Sequence, residues 1–78
     1  MKELIIQTSR LLYQNKVEEG YAKMNEVFAH IISYMNGLPQ EKIMVMNQVL
    51  SAALKAMEEK DAVLLADILR YELISELK

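Results

Sequence analysis

The sequence predicts an all-α protein, an antiparallel bundle of three or four helices with a long first helix, expected to be dimeric. Three observations predict it. The 78 residues hold only two glycines and one proline, while Leu, Ala, Met, Glu and Lys, all strong helix formers, abound. Apolar residues recur at steps of three and four, the spacing of a helix face, and not at the step of two that a strand requires. The hydrophobic fraction is 53%, more than one small domain hides easily, since a chain of this length buries only about 60% of the surface it exposes unfolded. An interface between copies would absorb the excess. The length suits one domain, residues 1–78.

The first segment runs from Lys2 to Asn36. Its second half has a clear seam in Val17, Met24 and Ile31, joined by Tyr21, Phe28 and Met35. Its first half follows another phase, through Ile5 and Leu12 with Leu4 and Leu11 beside them. The phase shifts between Tyr13 and Val17. Asn15-Lys16-Val17-Glu18 resembles a capping box that would start a new helix, but the gap holds no Gly or Pro, which favours one continuous helix with a stutter. Such a helix would be about 50 Å long, against about 30 Å for the second and about 25 Å for the third. Its first third would overhang the hairpin and need a partner for Leu4, Ile5, Leu11 and Leu12. If the helix breaks instead, the chain closes as a compact four-helix bundle.

Asn36-Gly37-Leu38-Pro39 is the strongest stop signal: Gly37 suits the left-handed position after a helix, and Pro39 suits the first turn of the next. The second helix is expected from Pro39 to Glu59, with a seam of Ile43, Met46, Leu50, Ala53 and Met57 flanked by Ala52 and Ala56. Met44 falls off that seam and is expected at the surface. Asp61 is placed to cap a third helix beginning at Ala62. That helix is apolar almost all round. Leu65, Leu69, Leu73 and Leu77 form a stripe at steps of four, with Leu64, Ile68 and Tyr71 beside it. A helix of this kind is buried on more than one side, which a three-helix monomer does not supply.

The charge and chemistry of the chain exclude several functions. The net charge of -2 leaves no basic stripe to neutralise phosphates, so nucleic acid is not expected as a partner. Cysteine is absent, which removes thiol and disulfide chemistry. The start, with Glu3, Gln7 and Arg10 among its apolar residues, reads as neither a leader nor a membrane span, and a cytoplasmic setting is expected. His30 is the one histidine, with Glu26 a turn before it, both off the Met24–Phe28–Ile31 seam; a solvated face is the expectation, and no metal or other cofactor. The same holds for Glu18-Glu19 and Glu58-Glu59-Lys60. The methionines within helices read as core filling. No paired carboxylate, nucleophile–base pair or glycine-rich phosphate loop is present, so no enzyme is expected. Asp67, Arg70, Tyr71 and Glu72 interrupt the apolar third helix. Asp67 and Arg70 stand at i, i+3 and are expected to pair, while Arg70 and Tyr71 are of the types that anchor interfaces.

The segment Lys60-Asp61-Ala62-Val63-Leu64-Leu65-Ala66-Asp67-Ile68-Leu69-Arg70-Tyr71-Glu72-Leu73, and Val17-Glu18-Glu19-Gly20-Tyr21 before a helical seam, resemble small helical bacterial proteins of the flagellar export chaperone kind and related motility accessory proteins. The resemblance covers about a quarter of the chain. It implies a helical bundle that holds an aggregation-prone helix of a secreted subunit, with Leu65, Leu69 and Tyr71 at the matching contact positions. Arg70 stands where the pattern would carry an acidic residue.

These readings converge on a non-catalytic helical protein-binding module, an export chaperone or adaptor for a motility-related subunit, that docks through Leu65, Leu69, Arg70, Tyr71, Leu73 and Leu77. Burial of apolar side chains would drive docking. The alternatives are an obligate homodimer with a structural or regulatory task, and a small ligand-binding or enzymatic bundle with a site around Tyr21, Tyr34, Asp67 or Arg70.

Overall fold

Asn15 adopts a left-handed backbone, with φ of 63°, and that one residue divides the expected long first helix in two. The structure is a computed structural model that describes residues 1–77. Helix α1 spans Lys2–Tyr13 and α2 spans Val17–Met35. The Lys16 amide donates to the Leu11 carbonyl at 2.8 Å and the Asn15 amide to the Leu12 carbonyl at 3.1 Å. This pair of bonds, around a left-handed residue, is the Schellman ending of a helix. Glycine usually fills the left-handed position, but asparagine tolerates it better than other residues with a side chain. The expected continuous helix is therefore corrected to two. A 50 Å rod would not fit a molecule whose longest extent is 36 Å. The break is not a capping box either, because α2 starts from Lys16 with no side-chain cap.

The other two connections follow the same logic. Gly37 takes φ of 87°, as expected, and the Leu38 amide donates back to the Met35 carbonyl at 3.1 Å. Helix α3 then spans Gln40–Glu58, starting one residue later than expected, with Pro39 at its N-cap. Lys60 is left-handed, with φ of 56°. Its amide reaches the Met57 carbonyl at 3.0 Å and the Asp61 amide reaches Ala56 at 2.9 Å, a second Schellman ending without glycine. Asp61 then caps the last helix as expected, its Oδ1 accepting from the Leu64 amide at 3.0 Å.

The last helix is one rod in three parts: α4 (Ala62–Asp67), a π-helical stretch (Ile68–Leu73) and a closing turn α5 (Ile74–Glu76). On an ideal α-helix a step of four overshoots a full turn by about 40°, so Leu65, Leu69 and Leu73 span an arc of about 80°, within the width of an ordinary apolar face. All three are fully buried.

Helix α1 packs against α2 on one side and the last helix on the other, and α3 closes over the last helix. The core is Ile5 and Leu12 from α1, Met24, Val27 and Ile31 from α2, Met46, Val49, Ala53 and Ala56 from α3, and Leu65, Ala66, Ile68, Leu69 and Leu73 from the last helix. This corrects the expected uncovered side of the last helix: once the first segment breaks, α1 covers it. Gly20 on α2 packs directly against Leu12 on α1. A Cβ at Gly20 would lie 2.5 Å from Leu12 Cδ2 and 2.9 Å from Cγ. The accessible surface is 4948 Å², close to the roughly 4,850 Å² that size scaling gives a folded 9 kDa monomer. Nothing overhangs. Among the described residues there is no strand, and no helix is long and apolar enough to cross a membrane.

Candidate protein-docking rim

The apolar periodicity of α1 buries Ile5 and Leu12, which turns Ser9 and Tyr13 toward the edge of the last helix. Two hydrogen bonds join the helices there. The Tyr13 hydroxyl donates to Asp67 Oδ1 at 2.5 Å, and Arg70 Nη1 donates to Ser9 Oγ at 3.4 Å. Ser9 is fully buried, and its own hydroxyl donates to the Ile6 carbonyl at 2.8 Å. Arg70 is half-buried and uses one donor on Ser9, whereas a guanidinium has five, and it makes no other side-chain hydrogen bond among the described residues.

The Tyr13–Asp67 bond fixes the phenol in its protonated form. The Tyr13 pKa is pushed up to about 12, first because the hydrogen bond to Asp67 requires the proton, then through desolvation and the charges of Asp67 and Tyr71, while Arg70 pulls the other way. The ring itself is exposed. On the last helix Val63 and Leu64, one turn before Asp67, and Tyr71, one turn after it, are exposed large apolar side chains, and Tyr71 keeps 71% of its surface in solvent. The rim thus combines two tyrosines, an arginine with spare donors and two aliphatic side chains on a base that hydrogen bonds hold in place. Tyrosine and arginine so placed are the residue types that anchor protein interfaces.

The six residues expected at a docking face divide between core and surface. Leu65, Leu69 and Leu73 are fully buried within the chain, because α1 and α3 take up the surface that a partner was expected to cover. Leu77 is half-buried against the core. Tyr71 is exposed and Arg70 lies at the rim. The expected Asp67–Arg70 pair does not form: α1 intercepts both, giving Asp67 a tyrosine donor and Arg70 a serine acceptor. Tyr13, Ser9, Val63 and Leu64 were not anticipated as rim residues. The signal for Tyr13 and Ser9 lay in the α1 periodicity: Ile5 and Leu12 on one face put position 9 within that face and position 13 at its edge.

The other candidate positions sit apart. His30 and Glu26 are exposed on α2, and no three His, Cys, Asp or Glu side chains come together among the described residues. Tyr34 is at the surface, whereas the Tyr21 hydroxyl is buried without a partner. Met44 is exposed as expected, and Met24 and Met46 fill the core. A second surface feature lies between α2 and α3, which touch least of the neighbouring helices. There the chain leaves an apolar trough of about 520 Å³, whose walls include Ile32 and Met35 from α2 and Ile43, Leu50 and Leu54 from α3.

No curated protein and no solved structure matches this chain. A family model described as a domain of unknown function, DUF8042, matches residues 1–78. The chain, over its whole length, belongs to the DUF8042 family.

Proposed function

We propose that the chain is a non-catalytic, cytoplasmic helical module that binds another protein through the α1–α4 rim. The observation that carries this reading is the exposure of Tyr13, Val63, Leu64 and Tyr71 around the Tyr13–Asp67 and Arg70–Ser9 bonds. The two rim side chains held by hydrogen bonds, Tyr13 and Arg70, would bind with a reduced ordering cost, because they are fixed before the partner arrives. Arg70 adds direction, since its free donors suit a carboxylate or a helix C-terminal carbonyl. A partner helix with apolar residues at i, i+3 and i+4 flanked by an acidic residue matches this chemistry.

An export chaperone or adaptor remains the most concrete form of the proposal. Its support is the resemblance of the last helix, and within it only Tyr71 of the three matching contact positions is at the surface. The reading therefore rests on the rim. The obligate homodimer is the weaker alternative, because the monomer surface already matches that of a self-contained domain.

Site-specific photo-crosslinking in the native host tests the proposal. A photoreactive residue at Tyr71 should yield one discrete adduct, and the same residue at Glu26, exposed on α2, should not. Adding Leu64→Asp should abolish the Tyr71 adduct while the helical circular dichroism stays unchanged. Equal adducts from both positions, or none from Tyr71, would refute a docking rim.

A further inference from the structure

The last helix carries one residue more than its buried face needs. An α-helix turns about 100° per residue, so on α geometry Glu72 would stand about 20° from Leu65 and about 40° from Ile68, between the two. Both are buried, and a carboxylate aimed between them without a partner is costly. In the structure Glu72 is exposed and the next residue, Leu73, is fully buried. The π stretch makes that exchange. The Ile74 amide donates to the Leu69 carbonyl, five residues back and not four, and the wider turn takes up one residue before the apolar face resumes. With the full count on an α-helix, Leu65, Ile68, Leu69, Leu73 and Leu77 would spread over about 180°, with Glu72 among them. With one residue fewer after Tyr71, the same five gather within about 100°, an ordinary apolar face, and no charged side chain of the helix falls inside it.

We infer that the π stretch is a positioning element for the rim, and that its surplus residue serves Arg70 and Tyr71 and not the core. Both of these rim residues lie inside the stretch. Asp67, which accepts from Tyr13, lies just before it. A π-helix turns less per residue than an α-helix. Closing residues 68–73 to α geometry would therefore rotate Arg70 and Tyr71 further about the axis while leaving Asp67 in place. Arg70 would leave the direction in which its Nη1 meets Ser9 Oγ, and the Tyr71 ring would turn away from its present place beside that bond. The apolar face closes without the extra residue, so its effect falls on the outer side of the helix. This role rests on the rim being a docking surface.

Deletion of Glu72 from the full chain, beside Glu72→Gln, tests the inference through stability and through the Tyr71 photo-crosslink. The deletion should keep the helical circular dichroism and unfold at a urea midpoint no lower than that of wild type, while its Tyr71 adduct falls about tenfold or more. Glu72→Gln keeps the residue count and a polar side chain, so it should retain both the midpoint and the adduct. In isotope-labelled wild type, scalar coupling through the hydrogen bond should join the Ile74 amide to the Leu69 carbonyl. Coupling to the Arg70 carbonyl in its place would mean that the helix is α there, and would overturn the inference. A deletion protein that unfolds at lower urea would show that the core uses the residue, and one that keeps the wild-type adduct would show that the residue positions nothing. Loss of the adduct in Glu72→Gln would assign the effect to the carboxylate and not to the residue count. These outcomes each overturn the inference and leave the rim reading standing. An absent adduct in wild type refutes the rim reading itself, and the positioning role falls with it.

Discussion

Replacing Gly20 with alanine should destabilise the protein, although the same change in an ordinary helix stabilises it. In an exposed helix interior, Gly→Ala is worth about 1 kcal/mol, because glycine loses more backbone freedom on folding. Gly20 is buried, and the new Cβ would lie 2.5 Å from Leu12 Cδ2 and 2.9 Å from Cγ. Rotating the Leu12 methyl could relieve the first contact but not the second, which is nearer the backbone. Leu12 is only 1% exposed and has no room to retreat. Overpacking a core site by one carbon costs about 1–3 kcal/mol, so the net loss should be about 1 kcal/mol. Urea denaturation followed by circular dichroism measures it. Leu12→Ala alone should lose about 2–5 kcal/mol through the cavity it leaves. In the double variant the methyl introduced by Gly20→Ala enters that cavity, so the combined loss should fall short of the sum by about 1 kcal/mol or more. A Gly20→Ala protein more stable than wild type, or strictly additive losses, would refute the close approach of α1 and α2.

The remaining predictions concern the two unusual helix endings and the rim. Lys60→Gly should stabilise the chain by about 0.5–1 kcal/mol in the same denaturation assay, since a lysine in the left-handed region is strained by about 1–2 kcal/mol and glycine is not; Asn15→Gly should gain less, because asparagine tolerates that conformation. Tyr13→Phe should cost about 1 kcal/mol at neutral pH, the bond being half in solvent. It should also change the alkaline limb of stability. The folded phenol titrates near 12 against about 10 unfolded, so its contribution is complete below pH 10 and is lost as pH rises toward 12. Wild type should therefore lose more stability than Tyr13→Phe across that window in pH-dependent melts.

Much of the fold was legible, and the exceptions share a cause. Gly37 and the Asp61 cap lay open in the sequence because glycine and aspartate at helix ends carry specific backbone chemistry. The Asp61 cap also marks the helix end beside Lys60, and the apolar phase does shift between Tyr13 and Val17, but no Gly or Pro marks a stop at Asn15, so the shift reads as a stutter within one helix. That one missed break carried the functional reading with it. A continuous first helix leaves Leu65, Leu69 and Leu73 uncovered, and an uncovered leucine stripe reads as a docking face. With α1 folded back, the stripe is core, and the surface left over includes the edge where Tyr13 meets Asp67 and Arg70 reaches in to the buried Ser9. Helix α3 shows a subtler effect. Its apolar band is broader than its core contact, so Met46, Val49, Ala53 and Ala56 are buried while Ile43 and Leu50 open into the trough. Periodicity marks the band but not how packing divides it.

The central claim is that the leucine stripe of the last helix is internal and that its rim faces outward. Comparing Leu69→Ala with Leu64→Ala, in stability and in the Tyr71 crosslink, tests it most directly. Leu69→Ala should lose about 2–5 kcal/mol, as a fully buried leucine does, and Leu64→Ala should stay within about 0.5 kcal/mol of wild type while weakening the crosslink. A Leu69→Ala protein that melts like wild type but loses its partner would contradict the account.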